Sequence, residues 1–457
     1  MSITIIKNAH IVNDGKSFLG SVAMENDRFI YVGEETPEYE GATLIDVEGK
    51  HLFPGVIDCQ VHFRDPGLTH KADLNSESKA AVAGGVTSFI DMPNTRPNVL
   101  THDILMEKFK LASEKSLANY DFYMGLSNDN LDEVLASDTT GYSCLSDDGL
   151  YFSGKGNLLA DNPETLEKIF SSTKNIVAIH SEIEKIIIEN EEKAKEKYGE
   201  DIPVEMHPII RSEEACYEST KRAIELANKH NARLHILHLT TAKETNLFRN
   251  DIPMEQKRIT TEASVHHLWF SDKDYAEKGM LIKWNPAIKT EADRTGLLDA
   301  LNEDRIDIIT TDHAPHTVEE KSGTYFNAMS GAPLVQHALT TMLELHFRGA
   351  ISLEKLVEKM CHNPAKLYGF KDRGYVNEGY KADFVLVDMN DPWTVAKENI
   401  LYKCGWSPLE GQEFRAKVKQ TYVNGHLVYD NGNFDESRMG EKLELLPWEE
   451  RDYVKNA

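Results

Sequence analysis

Residues 305–316 read RIDIITTDHAPH. A short apolar run rich in β-branched side chains stops abruptly at a carboxylate and two histidines, Asp312, His313 and His316. The run is too short for a helix, and it has the texture of a buried parallel strand whose last residues leave the sheet. The same texture recurs upstream in GVIDCQVHFR over 55–64, VTSFIDMPN over 86–94, NIVAIH over 175–180 and RLHILHL over 233–239. Stretches of helical length and amphipathic pattern separate these runs. Strands alternating with helices build a parallel sheet, and the repetition from Pro54 to Pro364 predicts a (β/α)8 TIM barrel.

Outward from that span, both ends of the chain change texture. Residues 1–53 read as short strands with turn punctuation, as in ITIIKNAHIVNDG over 3–15 and SVAMENDRFIYVG over 21–33. Strand texture returns after Pro364 in KADFVLVDMNDP over 381–392 and VKQTYVNGHLVYDNG over 418–432, where Asn424-Gly425 supplies a hairpin turn. Residues 1–53 and 365–457 are therefore expected to form one composite β-sandwich domain, and residues 54–364 the catalytic barrel. The run EIEKIIIENEEKAKEK over 182–197 is read as a solvated helix, because charge runs are ordinarily exposed faces.

Fifty Lys and Arg stand against 75 Asp and Glu, a formal net charge of -25, which opposes binding to a phosphate backbone or an anionic membrane. Nucleic acid and membrane are thereby set aside as partners, and a small anionic substrate would need a local positive site. Residues 1–30 lack the apolar core of a secretory signal, and no run of apolar residues is long enough to span a bilayer. The five cysteines are scattered and odd in number, as in a reducing compartment, so the expected location is cytoplasmic.

A barrel of this kind carries its reactive groups at the C-terminal ends of its strands. Those positions hold His62, Asn94, His180, His238 and Asp312. A single histidine there is as well explained by a structural hydrogen bond. Three imidazoles and a carboxylate converging on one barrel mouth, His62, His180, His238 and Asp312, instead match the nitrogen and oxygen ligands that zinc prefers. A bound divalent ion lowers the pKa of its water to about 7 and polarises a carbonyl, which suits hydrolysis. Asp312 is then the general base that takes the proton from the attacking water and returns it to a leaving nitrogen. Arg64 lies two residues beyond His62 and points to the same side of an extended strand end. Its guanidinium can grip a carboxylate, with Asn94 and His316 as neutral donors, so an anionic cyclic amide is the expected substrate. His235, His266, His267 and the run from His207 to Arg211 are read as packing or solvated groups.

With these residues in view, the chain resembles the dihydroorotases, the cyclic amidohydrolase branch of the amidohydrolase superfamily. The resemblance rests on FPGVIDCQVHFRDPGLTHK over 53–71, AAVAGGVTSFIDMPNTRPN over 80–98, ARLHILHLTT over 232–241, IKWNPAIK over 282–289 and TTDHAPH over 310–316, in the family's order. It implies that His62, His180 and His238 are metal ligands, that Asp312 is the metal-bound catalytic aspartate, and that Arg64, Asn94 and His316 bind the substrate carboxylate. Asn285 falls at a position near the pyrimidine ring, and SGTYFNAMSGAPLVQ over 322–336 resembles the segment that closes over substrate. The implied reaction is the reversible interconversion of dihydroorotate and N-carbamoyl-L-aspartate in pyrimidine synthesis, by a homodimer.

Two departures from the family pattern bear on the metal. Gln60 stands where the family carries the first of two histidines, and an amide oxygen binds zinc less strongly than imidazole. One tightly held Zn2+ with a second, looser ion is the expectation. The bridging ligand is either Asp148, in SCLSDDGLYFSGKGN over 143–157, or missing, since Asp-Asp-Gly is also a common turn. Two other readings stay open: an allantoinase or hydantoinase acting on a neutral ring, and a catalytically silent dihydroorotase-like subunit that scaffolds a partner such as aspartate transcarbamoylase.

Overall fold

The computed structural model of the chain describes residues 3–137, 141–146, 163–447 and 450. Val56–Val61, Val86–Asp91 and Asn119–Phe122 form a three-stranded parallel sheet. The last of these continues past Tyr123 into Met124–Gly125, which opens a six-stranded parallel sheet with Cys144–Ser146, Ile176–Ile179, Leu234–Ile236, Ile259–Ser264 and Ile308–Thr310. The final strand closes back on the first: Val61 bridges His313 in parallel, and the His62 amide donates to the His313 carbonyl at 2.8 Å. The result is the expected closed eight-stranded barrel. Its strands are buried on both faces, which is why they read as continuous apolar runs rather than alternating ones. Ile57, Cys59, Ile90, Cys144, Ile176 and Ile308 pack together in one cluster.

Each candidate side chain sits one or two residues beyond its strand: His62 after Val61, His180 after Ile179, His238 after Ile236 and Asp312 after Thr310. Arg64, His238 and Asp312 adopt positive φ angles of 64°, 36° and 46°, unusual for residues with a Cβ. Backbone of this kind costs on the order of 1–3 kcal/mol per residue and persists where surrounding structure imposes it, typically at functional sites.

The two chain ends meet in a nine-stranded sheet that forms the composite β-sandwich. They join where His51–Pro54 runs antiparallel to Phe384–Asp388, Leu52 facing Leu386. Ile6, Ile11, Val22, Phe29, Leu52 and Phe384 form its core. Asn424 and Gly425, at φ 50° and 73°, make the tight turn between Lys417–Val423 and His426–Asp430. Only glycine fits at 425, because a Cβ there would lie 2.1 Å from the Asn26 carbonyl oxygen. Asn424 also fastens the sandwich to the barrel, its side-chain amide donating to Asn119 at 2.7 Å and its backbone amide to Asp383 at 2.7 Å.

The charged run does form a helix, Glu184–Tyr198, anchored by buried Ile187 and Ala194 with Ile188 exposed. Its first residue in the sequence reading departs from that picture: Glu182 is fully buried and turned toward His180. Among the described residues no helix is long and apolar enough to cross a membrane, and all five cysteines are free thiols.

Candidate active site

At the C-terminal ends of the barrel strands lies a cavity of about 620 Å³. His62, Arg64, Asn94, His180, His238, Asn285, Asp312 and His316 all line it, so the structure gathers eight of the sequence candidates in one place. Gln60 is not on the wall; it is fully buried, and neither its amide oxygen nor its amide nitrogen has a hydrogen-bond partner among the described residues. Asp148 lies outside the described residues.

The four expected ligands come as two facing pairs. His62 Nε2 stands 3.1 Å from Asp312 Oδ1, and His180 Nδ1 stands 3.0 Å from His238 Nε2. Among the described residues no three His, Cys, Asp or Glu side chains form a single ligand cluster. Each pair is nevertheless oriented from behind. His62 Nδ1 lies 3.0 Å from Asn94 Oδ1, so it carries the proton and leaves Nε2 toward Asp312. His180 Nε2 lies 2.7 Å from Glu182 Oε2, which also receives the Arg211 guanidinium. Burial alone would raise the Glu182 pKa, but Arg211 and His180 together hold its carboxyl well below the usual carboxylate range. An ionised Glu182 accepts from Nε2–H and leaves the His180 Nδ1 lone pair facing the cavity, the arrangement a carboxylate imposes on a ligating histidine.

Within each pair the spacing suits two ligands of a divalent cation. Two ligands about 2.0–2.1 Å from a tetrahedral zinc stand roughly 3.3 Å apart, and the observed pairs are spaced at 3.0 and 3.1 Å. Burial, with His180 and His267 nearby, pushes the His238 pKa well below its usual value, so the ring is neutral as a ligand must be. Burial pushes the Asp312 carboxyl well above the usual range, against the pull of His180 and Arg64, and a cation beside it would reverse that cost. The orphaned Gln60 amide is likewise a buried polar group that needs a polar or charged neighbour.

The opposite end of the pairings is cationic. Arg64 Nη2 lies 3.4 Å from His316 Nε2, and Lys71, Arg96, Arg211 and Lys283 share the wall with it. Burial lowers the His316 pKa to about 3, so this ring is neutral. In an acidic protein, five cations on one cavity wall against Glu191 and Asp312 create a local field of opposite sign.

Several of these groups escaped the sequence reading. Glu182 stands at the head of the charged run, and its signal is its place two residues beyond a strand-end histidine. His207 and Arg211, expected to be packing or solvated groups, both line the cavity, His207 holding Tyr325 Oη at 2.8 Å and the Trp284 carbonyl at 2.6 Å. Lys283 donates to the carbonyls of Tyr325 and Ala328, both at 2.7 Å, and thereby ties the 322–336 segment over the mouth. Asp91 accepts the Phe63 amide at 2.8 Å and pairs with Lys108 at 2.6 Å, fixing the turn between His62 and Arg64.

A closed parallel barrel with histidines and an aspartate at its mouth is the architecture of a metal-assisted hydrolase. The family model for the amidohydrolase family matches residues 51–428, and the chain belongs to that metal-dependent family of enzymes. It is similar to a dihydroorotase of Pyrococcus furiosus, 30% identical over 442 residues that cover 95% of this chain and 96% of that one. An allantoinase of Bacillus velezensis is 29% identical over 443 residues, covering 95% of each chain. Among solved structures, the L-hydantoinase (dihydropyrimidinase) from Arthrobacter aurescens superposes with a TM-score of 0.91 at 26% identity, covering 96% of this chain and 99% of that one.

Proposed function

We propose that the protein is a zinc-dependent dihydroorotase that interconverts dihydroorotate and N-carbamoyl-L-aspartate. The observation that carries this reading is the cationic wall beside the ligand pairs: Arg64 opens from the same strand end as His62 and faces the cavity with Lys71 and Arg96. A ring bearing a carboxylate meets favourable charge at that wall, whereas a neutral ring makes no use of its cations. The similarity to both a dihydroorotase and an allantoinase fits a cyclic amide of either kind, so the choice between them rests on this charge.

His62, His180, His238 and Asp312 would hold the ion, which when bound supplies an acidified water and a Lewis acid for the ring carbonyl. Arg64 binds the substrate carboxylate through paired charge-assisted hydrogen bonds and thereby sets the face of the ring presented to Asp312. Asp312 accepts a proton from the attacking water and passes it to the ring nitrogen as the amide bond opens. Asn94 and Glu182 keep the two histidine tautomers fixed while this happens. Closure of the 322–336 segment, clamped by Lys283, excludes bulk water. Five unpaired cysteines support a reducing, cytoplasmic location.

The test is ring opening of dihydroorotate by the purified protein, with metal content measured on the same sample and allantoin and hydantoin as controls. Turnover of dihydroorotate alone by zinc-loaded protein is expected. Turnover of a neutral ring in preference would refute the substrate, and inactivity on all three after metal addition would leave a silent subunit.

A further inference from the structure

The carboxylate end of the cavity contains a cation to which the sequence reading gave no role. The Lys71 side chain is only 6% exposed, and its Nζ stands 3.0 Å from His316 Nδ1 and 3.2 Å from Glu320 Oε1. Across the same imidazole, Arg64 Nη2 stands 3.4 Å from Nε2. The ring thus has Arg64 at one nitrogen and both Lys71 and Glu320 Oε2, at 3.1 Å, at the other, and its burial keeps it a neutral spacer between the two cations. Glu320 is the carboxylate that pairs with Lys71, but it lies off the cavity wall and is shared with His70 at 3.2 Å, His316 Nδ1 at 3.1 Å and the Thr317 amide at 3.1 Å. Lys71, by contrast, does line the cavity, together with Arg64 and Arg96. Three cations, Lys71, Arg64 and Arg96, thus share this part of the wall while Glu320 stays outside it, a local field that favours an incoming carboxylate.

We propose that Lys71 is a specificity-determining residue, whose ammonium, together with Arg64 across His316, holds the substrate's carboxylate and selects the carboxylated ring over the same ring without that group. This rests on the carboxylated cyclic amide reading. The alternative role, in which Lys71 only anchors the 317–331 segment through Glu320, makes a different prediction. Anchoring affects turnover of every ring alike, whereas carboxylate binding acts on one class of ligand and through KM.

The experiment compares the zinc-loaded wild type with Lys71→Met, Lys71→Gln and Lys71→Arg. KM and kcat are measured for dihydroorotate, and calorimetric affinities for orotate and uracil, planar rings that differ in the carboxylate. Loss of one buried charge-assisted contact should raise the dihydroorotate KM about tenfold or more with kcat within about threefold. Orotate should weaken in step, uracil should stay within about twofold, and Lys71→Arg should recover most of the loss. Equal weakening of orotate and uracil, or a fall in kcat at unchanged KM, would overturn the assignment. Lys71→Gln keeps a neutral donor for Glu320 and reads the same quantities if the methionine variant fails to fold. Should the wild type not open dihydroorotate, the parent reading fails, and the orotate and uracil affinities still decide the role of Lys71.

Discussion

Replacing Glu182 by glutamine tests whether the His180 tautomer is imposed from behind. The side chain is fully buried, its Oε2 lies 2.7 Å from His180 Nε2, and it forms an ion pair with Arg211, whose side chain is 8% exposed. Glu182→Gln removes the charge while keeping an acceptor, so the buried Arg211 loses the carboxylate with which it pairs. Breaking a buried pair in this way costs about 3–5 kcal/mol. The amide can also turn its NH2 toward His180, and the ring then loses the preference that keeps the Nδ1 lone pair toward His238. Losing such a carboxylate behind a ligating histidine typically weakens metal affinity about 10–100-fold. Denaturation midpoints and zinc affinity by competition with a chelator measure the two effects separately. The pH dependence supplies a further check. Because the folded carboxyl is held below its unfolded pKa of about 4.3, its stabilisation is fully present above that pH and is lost as pH falls through the folded value. The stability gap between wild type and variant should therefore be constant near neutrality and shrink below about pH 4. A loss under about 1 kcal/mol at pH 7 with zinc affinity within about twofold would refute the reasoning.

Other expectations address separate parts of the site. Asp312→Asn should lower kcat by roughly 10²–10⁴-fold while the denaturation midpoint holds, as measured by single-turnover kinetics and urea unfolding. Arg64→Met should raise the dihydroorotate KM by roughly 10–150-fold, the equivalent of about 1.5–3 kcal/mol, with kcat nearly kept; an unchanged KM would remove Arg64 from carboxylate binding. Lys108→Met strands the fully buried Asp91, so unfolding should become about 3–5 kcal/mol easier, and the released Phe63 amide should also raise KM. Burial and the neighbouring Arg64 lower the Lys71 pKa to about 8, with Arg96 adding to this and Glu320 opposing it. Affinity for orotate should therefore fall as pH rises through about 8 in the wild type and not in Lys71→Arg, because His316, lowered to about 3, no longer titrates there.

The fold was legible because parallel strands buried on both faces leave an unmistakable apolar texture, and the hairpin turn at Asn424-Gly425 marked the return to antiparallel sheet. The ligand candidates were legible for the same reason, since they follow those runs directly. What stayed hidden were groups whose role depends on which elements pack together. Lys108 belongs to the helix His102–Lys115 and reads as one more charge on its polar face, yet it is 2% exposed and lies against Phe122, 4.7 Å from the ring centre. Arg211 and His207 reach the cavity only because the segment after the helix Glu184–Tyr198 folds back across the mouth, which no local spacing announces. Lys71 follows a loop rather than a strand, so a search confined to strand ends passes over it.

His313 shows why a block such as DHAPH cannot be divided into functional residues from its letters. It directly follows Asp312 but faces away from the cavity, where its Nε2 lies 2.9 Å from Glu77 Oε2 in a pair that is fully buried. Its Nδ1 accepts the amides of Leu334 and Val335 at 2.9 and 3.2 Å, so Nε2 must carry the proton given to Glu77. Glu77 in turn accepts the Lys403 amide at 3.0 Å, and the His313 carbonyl accepts the amide of His62 at 2.8 Å. The imidazole therefore ties the helix Leu74–Ala83 to the end of the closing segment, Glu77 extends the link to the chain beyond the barrel, and the His313 carbonyl holds the end of the first strand. An apolar side chain of equal volume could fill the space, but it would leave two amides and a carboxylate to find other partners. The spacing of His62 and Asp312, on which the proposed proton transfer depends, is thus set by a polar hub outside the cavity, which makes His313 a positioning residue rather than a ligand.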